Sequence, residues 1–296
     1  MKLKRSRSQY AAVLGGVLAA CAAVLVSYSL FTAAATELIH TEPSEFAPVL
    51  VFDEDGKRCM NFDQIEDSGR QTCFDQDEPD KMVFAYTRMM TSALFVKPDP
   101  RNVLIVGLGG ATMPRSLEKI LPDAVIDSVE IDPAVVRVAE RFFGYEQGPR
   151  QRVFVEDGRA FVERAHREGH KYDMVMLDAF DTDYIPAHLL TREFLQLVYE
   201  ILAPDGVLVA NTFTDSKMYD QESATYAAVF GDFFNLRAGN RVIIATRGNL
   251  PNDETLKRNA DTLAKTLAPF GIDVARALQR FSRERDWNQD ASVLVD

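Results

Sequence analysis

From Asn102 onward the chain alternates between short apolar runs and amphipathic ones, and this alternation constrains its fold more than any other feature. The apolar runs are "NVLIVGL", "AVIDSVEID", "RVFVED", "YDMVMLDAF" and "GVLVANTF". Between the first four and after them lie "MPRSLEKIL", "PAVVRVAERFF", "GRAFVERAHREG" and "LTREFLQLVYEIL", whose apolar residues recur at helical spacing. Such order predicts a doubly wound α/β fold around a parallel sheet. "NRVIIATR" adds a late strand, and "DETLKRNADTLAKTLAPFG" reads as a long exposed helix.

In an open parallel sheet, ligands bind beyond the carboxyl ends of the strands. The residues expected there are glycines and acids. The first strand runs into Gly107, Gly109 and Gly110, where bare backbone can approach a nucleotide. The second ends at Glu130, about 20 residues on, the spacing of an acid that accepts hydrogen bonds from a ribose. The third ends at Asp157 and Gly158, where an acid suits the exocyclic amine of adenine. The fourth ends at Asp178, followed by Asp181, Asp183 and Tyr184. Closely spaced carboxylates raise one another's pKa, which makes Asp178 the first candidate for a general base. His188 reads as a structural or surface residue. Taken singly, each acid also fits a solvated strand end or a helix cap.

Upstream, residues 36–98 read as a small β-hairpin unit with a linking helix. Asp55-Gly56 is a hairpin signal between two extended runs, and "DKMVFAYTRMMTSALFV" has helical spacing. Residues 99–296 form the nucleoside-binding unit. At the amino end, Lys2, Lys4, Arg5 and Arg7 precede an uncharged apolar run over 10–35. That run has the length of a membrane span, and its basic flank orients residues 1–9 to the cytoplasm. The expectation is a single-pass membrane protein with its catalytic unit outside the cytoplasm. A cleaved signal peptide ending near Ala33-Ala34-Ala35 is the rival. Outside the cytoplasm, Cys59 and Cys73 would pair as a disulfide. No clustered Cys/His set suggests a metal. The net charge of −11, with no basic patch beyond the first residues, argues against nucleic acid as a partner and suits a small-molecule substrate.

These motifs resemble the spermidine synthase-like (polyamine aminopropyltransferase) branch of the class I S-adenosylmethionine-dependent transferases. The resemblance runs from about Glu37 to the tail "DWNQDASVLVD". It implies a Rossmann-like, methyltransferase-type sheet behind a small β domain, and a homodimer. It also implies a co-substrate, S-adenosylmethionine or its decarboxylated form, with no metal. By the same resemblance, Glu130 binds the ribose, Asp157 the adenine, Asp178 deprotonates the attacking amine, and Asp181 binds it. Two departures stand out. The acid that grips the aminopropyl end in the family's GGGDGG turn is replaced by Gly110. The family's tyrosine-histidine-glutamate becomes Tyr86-Thr87-Arg88, and Phe46-Ala47 takes the place of its tyrosine-glutamine. Loss of the acid near Gly110 removes a repulsion against an intact donor's carboxylate, and Arg88 is placed to pair with that carboxylate.

The expected reaction is attack on the donor's propyl carbon with release of methylthioadenosine. The attacker is an external amine, or the donor's own carboxylate or amine, giving a cyclic product. Methyl transfer from the same nucleoside site is one alternative. A non-catalytic membrane protein that binds polyamines or nucleosides is another.

Overall fold

The computed structural model describes residues 36–65, 70–179 and 185–296. The apolar run 10–35 therefore lies outside the described residues, as do Asp181 and Tyr184. Among the described residues, no helix is long and apolar enough to cross a membrane.

The first unit is a four-stranded antiparallel sheet, β1 (Glu37–Glu42), β2 (Val49–Glu54), β3 (Lys57–Phe62) and β4 (Thr72–Asp75), in sequential order. Asp55 and Gly56 both hold φ near the left-handed region, at 50° and 73°, so the predicted hairpin closes in two residues. Cys59 and Cys73 face each other across β3 and β4, and their sulfurs are bonded. The bridge closes a loop of sequence separation 14. Replacing both cysteines by serine is expected to lower unfolding free energy by about 3 kcal/mol. Urea titration of the two proteins reads this directly, and coincident midpoints would refute it.

α1 (Ala85–Thr91) and a 3-10 turn (Ser92–Phe95) lead into the second unit. The helical spacing read over 80–96 is thus realised only from Ala85 on. The chain then runs through β5 (Asn102–Val106), α2 (Thr112–Ile120), β6 (Val125–Glu130), α3 (Pro133–Phe142), β7 (Gln151–Val155), α4 (Gly158–Arg167) and β8 (Tyr172–Leu177). It continues with α5 (Arg192–Ile201), β9 (Leu202–Phe213), α6 (Tyr219–Phe230), β10 (Phe234–Ala238), β11 (Asn240–Thr246), α7 (Asp253–Leu267) and α8 (Val274–Leu278). The seven strands order as β10-β11-β9-β8-β5-β6-β7, with β5 to β9 parallel and β10 and β11 antiparallel.

Each face of the sheet has its own core. Met90 of α1, Leu117 of α2 and Leu256 of α7 bury against one face. Phe161 of α4, Phe194 of α5 and Tyr226 of α6 bury against the other. This is the doubly wound arrangement that strand–helix alternation requires. The small sheet joins it through Val49, Val51 and Met60, which pack on Ala134, Val135 and Val138 of α3. That contact brings the edge of β4 over the carboxyl ends of β5 and β6. The sequence pattern does not mark β10 and α6 as elements, because α6 has polar residues such as Glu222 and Ser223 on its buried side.

Candidate active site

Strand order reverses at β5, since β6 and β7 lie to one side of it and β8 and β9 to the other. A pocket opens at that switch point. It is lined by the glycine turn, Glu130, Asp157 and Asp178 from the large sheet, by Tyr86 and Thr87 from α1, and by Phe62, Gln71 and Thr72 from the small one. Its floor depends on close backbone approach. Gly107 has φ of 100°, and a Cβ there would stand 2.3 Å from the Asp178 carbonyl oxygen. Only glycine lets the ends of β5 and β8 meet this closely.

Glu130 is fixed by two backbone donors. The Leu108 N–H donates to its Oε2 and the Asp132 N–H to its Oε1, each at 3.0 Å. Burial raises its pKa, and those N–H groups oppose the rise. Ile131, beside it, is exposed at the pocket's rim, an apolar surface suited to one face of a planar base. Asp157 caps α4, accepting from the Ala160 N–H at 3.0 Å. Its other oxygen lies 2.9 Å from Nε2 of His188. Desolvation works to raise its pKa, but the Ala160 N–H and His188 together hold it below the usual carboxylate range. His188 is indeed exposed, yet it lines the pocket beside Asp157, a placement that its sequence context does not reveal.

At the other end lies Asp178. Burial pushes its pKa up to about 7, against a hydrogen bond at 2.9 Å from the Asn211 amide. The direction agrees with the sequence reading, but the cause among the described residues is burial and not neighbouring carboxylates; Asp181 and Asp183 lie outside the described residues. Sequence reasoning misses Asn211, whose one signal is a lone amide within the apolar run "GVLVANTF". Asn240 donates in turn to the Asn211 oxygen at 3.2 Å, which orients the amide toward Asp178. Burial, and then the charge of Asp178, hold the Tyr86 phenol well above its usual range, so it remains a proton donor.

Two expectations, for Arg88 and Phe46, are corrected by the geometry, and the loss of the acid at Gly110 gains a steric reason. Arg88 does not reach this pocket. Tyr86 and Thr87 occupy the pocket side of α1, and the next residue is rotated about 100° around the helix. Its guanidinium donates to the carbonyl oxygens of Met82 and Val83 and lines a different groove. Gly110 lines the pocket, but the family's acid would not fit at this position. The space its side chain would occupy is filled by Thr72, whose Cγ2 would lie 2.3 Å from a Cβ at position 110. Phe46 is exposed and does not line the pocket; the small sheet contributes Phe62, Gln71 and Thr72 instead.

With this geometry in place, similarity to known proteins becomes informative. The spermine/spermidine synthase domain matches residues 83–236. A polyamine aminopropyltransferase of Vibrio vulnificus is 41% identical over 273 residues, covering 90% of this chain and 91% of that one. The chain belongs to the spermine/spermidine synthase family. It is accordingly an enzyme of the aminopropyl-transferring class. The spermidine synthase of Thermotoga maritima superposes with a TM-score of 0.65 at 20% identity, covering 83% of this chain and 84% of that one, which supports the fold. An eEF1A lysine and N-terminal methyltransferase of Bos taurus is 30% identical over 74% of this chain but only 31% of its own.

This likeness also overturns the expected location. The chain aligns with the Vibrio vulnificus enzyme over 91% of that enzyme's length. The reading as a single-pass membrane protein with its catalytic unit outside the cytoplasm does not stand. An apolar run of bilayer length permits a span without requiring one, and flanking charge orients only a span that exists.

Proposed function

We propose that this enzyme transfers the aminopropyl group of decarboxylated S-adenosylmethionine to an amine acceptor and releases methylthioadenosine. One observation carries the choice of donor. Among the described residues lining the pocket there are four carboxylates, Glu130, Glu156, Asp157 and Asp178, and no lysine or arginine. A donor that bears a sulfonium and an ammonium but no carboxylate matches that lining. With Arg88 turned away, an intact donor's carboxylate finds no side-chain cation.

The roles follow from position. The glycine turn admits the donor's backbone-facing edge, Glu130 takes the ribose hydroxyls, and Asp157 takes the adenine amine. Ile131 covers one face of the base. The propyl carbon then lies toward Tyr86 and Asp178. Asp178, ionised, accepts a proton from the acceptor's ammonium. The freed nitrogen lone pair forms the N–C bond as the C–S bond breaks, and the electrons of that bond neutralise the sulfonium. Asp181 keeps the amine-binding role that the resemblance implies.

A second reading has its own support. The first turn of α2 borders the pocket and lacks a side-chain cap, so the Thr112 and Met113 N–H groups are left to meet a carboxylate. Together with the methyltransferase relative, this favours methyl transfer from intact S-adenosylmethionine. Products separate the two. The enzyme is expected to form methylthioadenosine and spermidine from decarboxylated donor and putrescine, read by mass spectrometry. S-adenosylhomocysteine from intact donor, with no methylthioadenosine from either, would replace the first reading with the second.

A further inference from the structure

On the far side of α1 from the nucleoside pocket lies a second cavity, of about 310 Å³. That volume falls at the lower end of the range for small-ligand sites, about 300–1,000 Å³. Its charged lining is Lys81, Arg88, Arg276 and Arg280 against one acid, Asp273. This local sign is the reverse of the chain's net charge of −11.

The counter-charges nearby are committed elsewhere. Asp273 Oδ1 caps the Arg276 N–H, and Glu78 holds the Lys81 ammonium at 2.5 Å. Arg88 donates only to the Met82 and Val83 carbonyl oxygens, and Arg280 to the Arg237 carbonyl oxygen at 3.1 Å. Among the described residues, Arg88, Arg276 and Arg280 have no carboxylate within ion-pair distance. The cavity wall holds two of the cationic stems in place. Gly271 adopts φ of 75°, and the Lys81 and Arg88 stems lie 3.2 and 3.8 Å from where its Cβ would be. Burial, and then the charge of Arg280, hold the Arg88 guanidinium below its ordinary range. Like charges left together in a cleft without a counterion are relieved by an anion. Guanidinium groups also match the geometry of phosphate oxygens, each able to donate two parallel hydrogen bonds.

We propose that the groove formed by Arg88, Arg276 and Arg280 on the back of α1 binds a multivalent phosphate, as a free polyphosphate or as the phosphate chain of a nucleotide. The site is separate from the aminopropyl chemistry and does not depend on which donor is used. Its ligand would rest on the same short helix that presents Tyr86 and Thr87 to the nucleoside pocket.

Calorimetric titration of the full chain with sodium pyrophosphate tests this. Saturable binding at one site per chain is expected. It should weaken at least tenfold in Arg88→Gln and in Arg280→Gln, and as the salt concentration rises. Arg276 is exposed, so Arg276→Gln provides the same reading even if the half-buried variants fail to fold. ATP that displaces pyrophosphate assigns the groove to a nucleotide's phosphates; pyrophosphate that ATP does not displace assigns it to a free polyphosphate. No saturable binding to the wild type, or wild-type affinity in both the Arg276→Gln and the Arg280→Gln variant, overturns the proposal.

Discussion

Replacing Asp178 by asparagine is expected to lower the rate of aminopropyl transfer about 10²- to 10⁴-fold, the range of a lost general base. Donor binding should change little, because in the proposed arrangement Glu130 and Asp157 hold the adenosine at the opposite end of the pocket. In the wild type the group titrates near 7, so activity should rise as pH passes through that value and level off above it. Asn211 stabilises the ionised form with its amide N–H. Asn211→Ala should therefore move the acidic limb to higher pH. A pH–rate profile of kcat/KM for the three proteins measures both effects, and a profile in Asp178→Asn with the wild-type limb would remove Asp178 from the mechanism.

The same carboxylate gives a stability signature that separates lost chemistry from lost folding. Its native pKa, about 7, lies above the ordinary 3.8. Below pH 4 it is protonated in both states. As pH rises from 4 to 7 the unfolded chain ionises it freely while the buried site resists, so stability is lost across that window. Asp178→Asn removes the penalty. The inactive variant should be more stable than the wild type at pH 8, by about 4 kcal/mol at about 1.4 kcal/mol per pKa unit, and the two should converge near pH 4. Thermal melts at both pH values read the difference.

The second large effect concerns Gly110. Reinstating the family's acid by Gly110→Asp should not strengthen decarboxylated donor binding. A Cβ there meets Thr72 Cγ2 at 2.3 Å and Phe143 Cδ1 at 3.0 Å, both on buried residues. Overpacking of this kind costs about 1–3 kcal/mol, and the new carboxylate would add its own burial cost. The melting temperature should fall and the donor KM should rise. Combining it with Thr72→Gly should recover part of the stability, because the two side chains compete for one space. A singly substituted Gly110→Asp protein with an unchanged melting temperature and a lower donor KM would contradict this account.

Part of this protein is legible in its sequence and part is not, and the range of the forces involved separates the two. The strand–helix alternation encodes which faces are buried, because burial periodicity is a property of local sequence. Once the sheet is parallel, the residues at successive strand ends must share one edge, so Glu130, Asp157 and Asp178 can be placed together from their spacing alone. The Asp55-Gly56 hairpin and the glycine turn are readable for the same reason, since their backbone demands are local. Tertiary structure decides the rest. Arg88 differs from Tyr86 by two positions, and only the packing of α1 against β10 and β11 settles which of them faces the pocket. The cause of the Asp178 shift is burial, which depends on the elements closing over it. Gly110 reads in the sequence only as a lost acid, with nothing to say what occupies the space of the missing side chain. Thr72, 38 positions earlier, fills that space from another sheet, and no local pattern records a contact made only when the two sheets meet across α3.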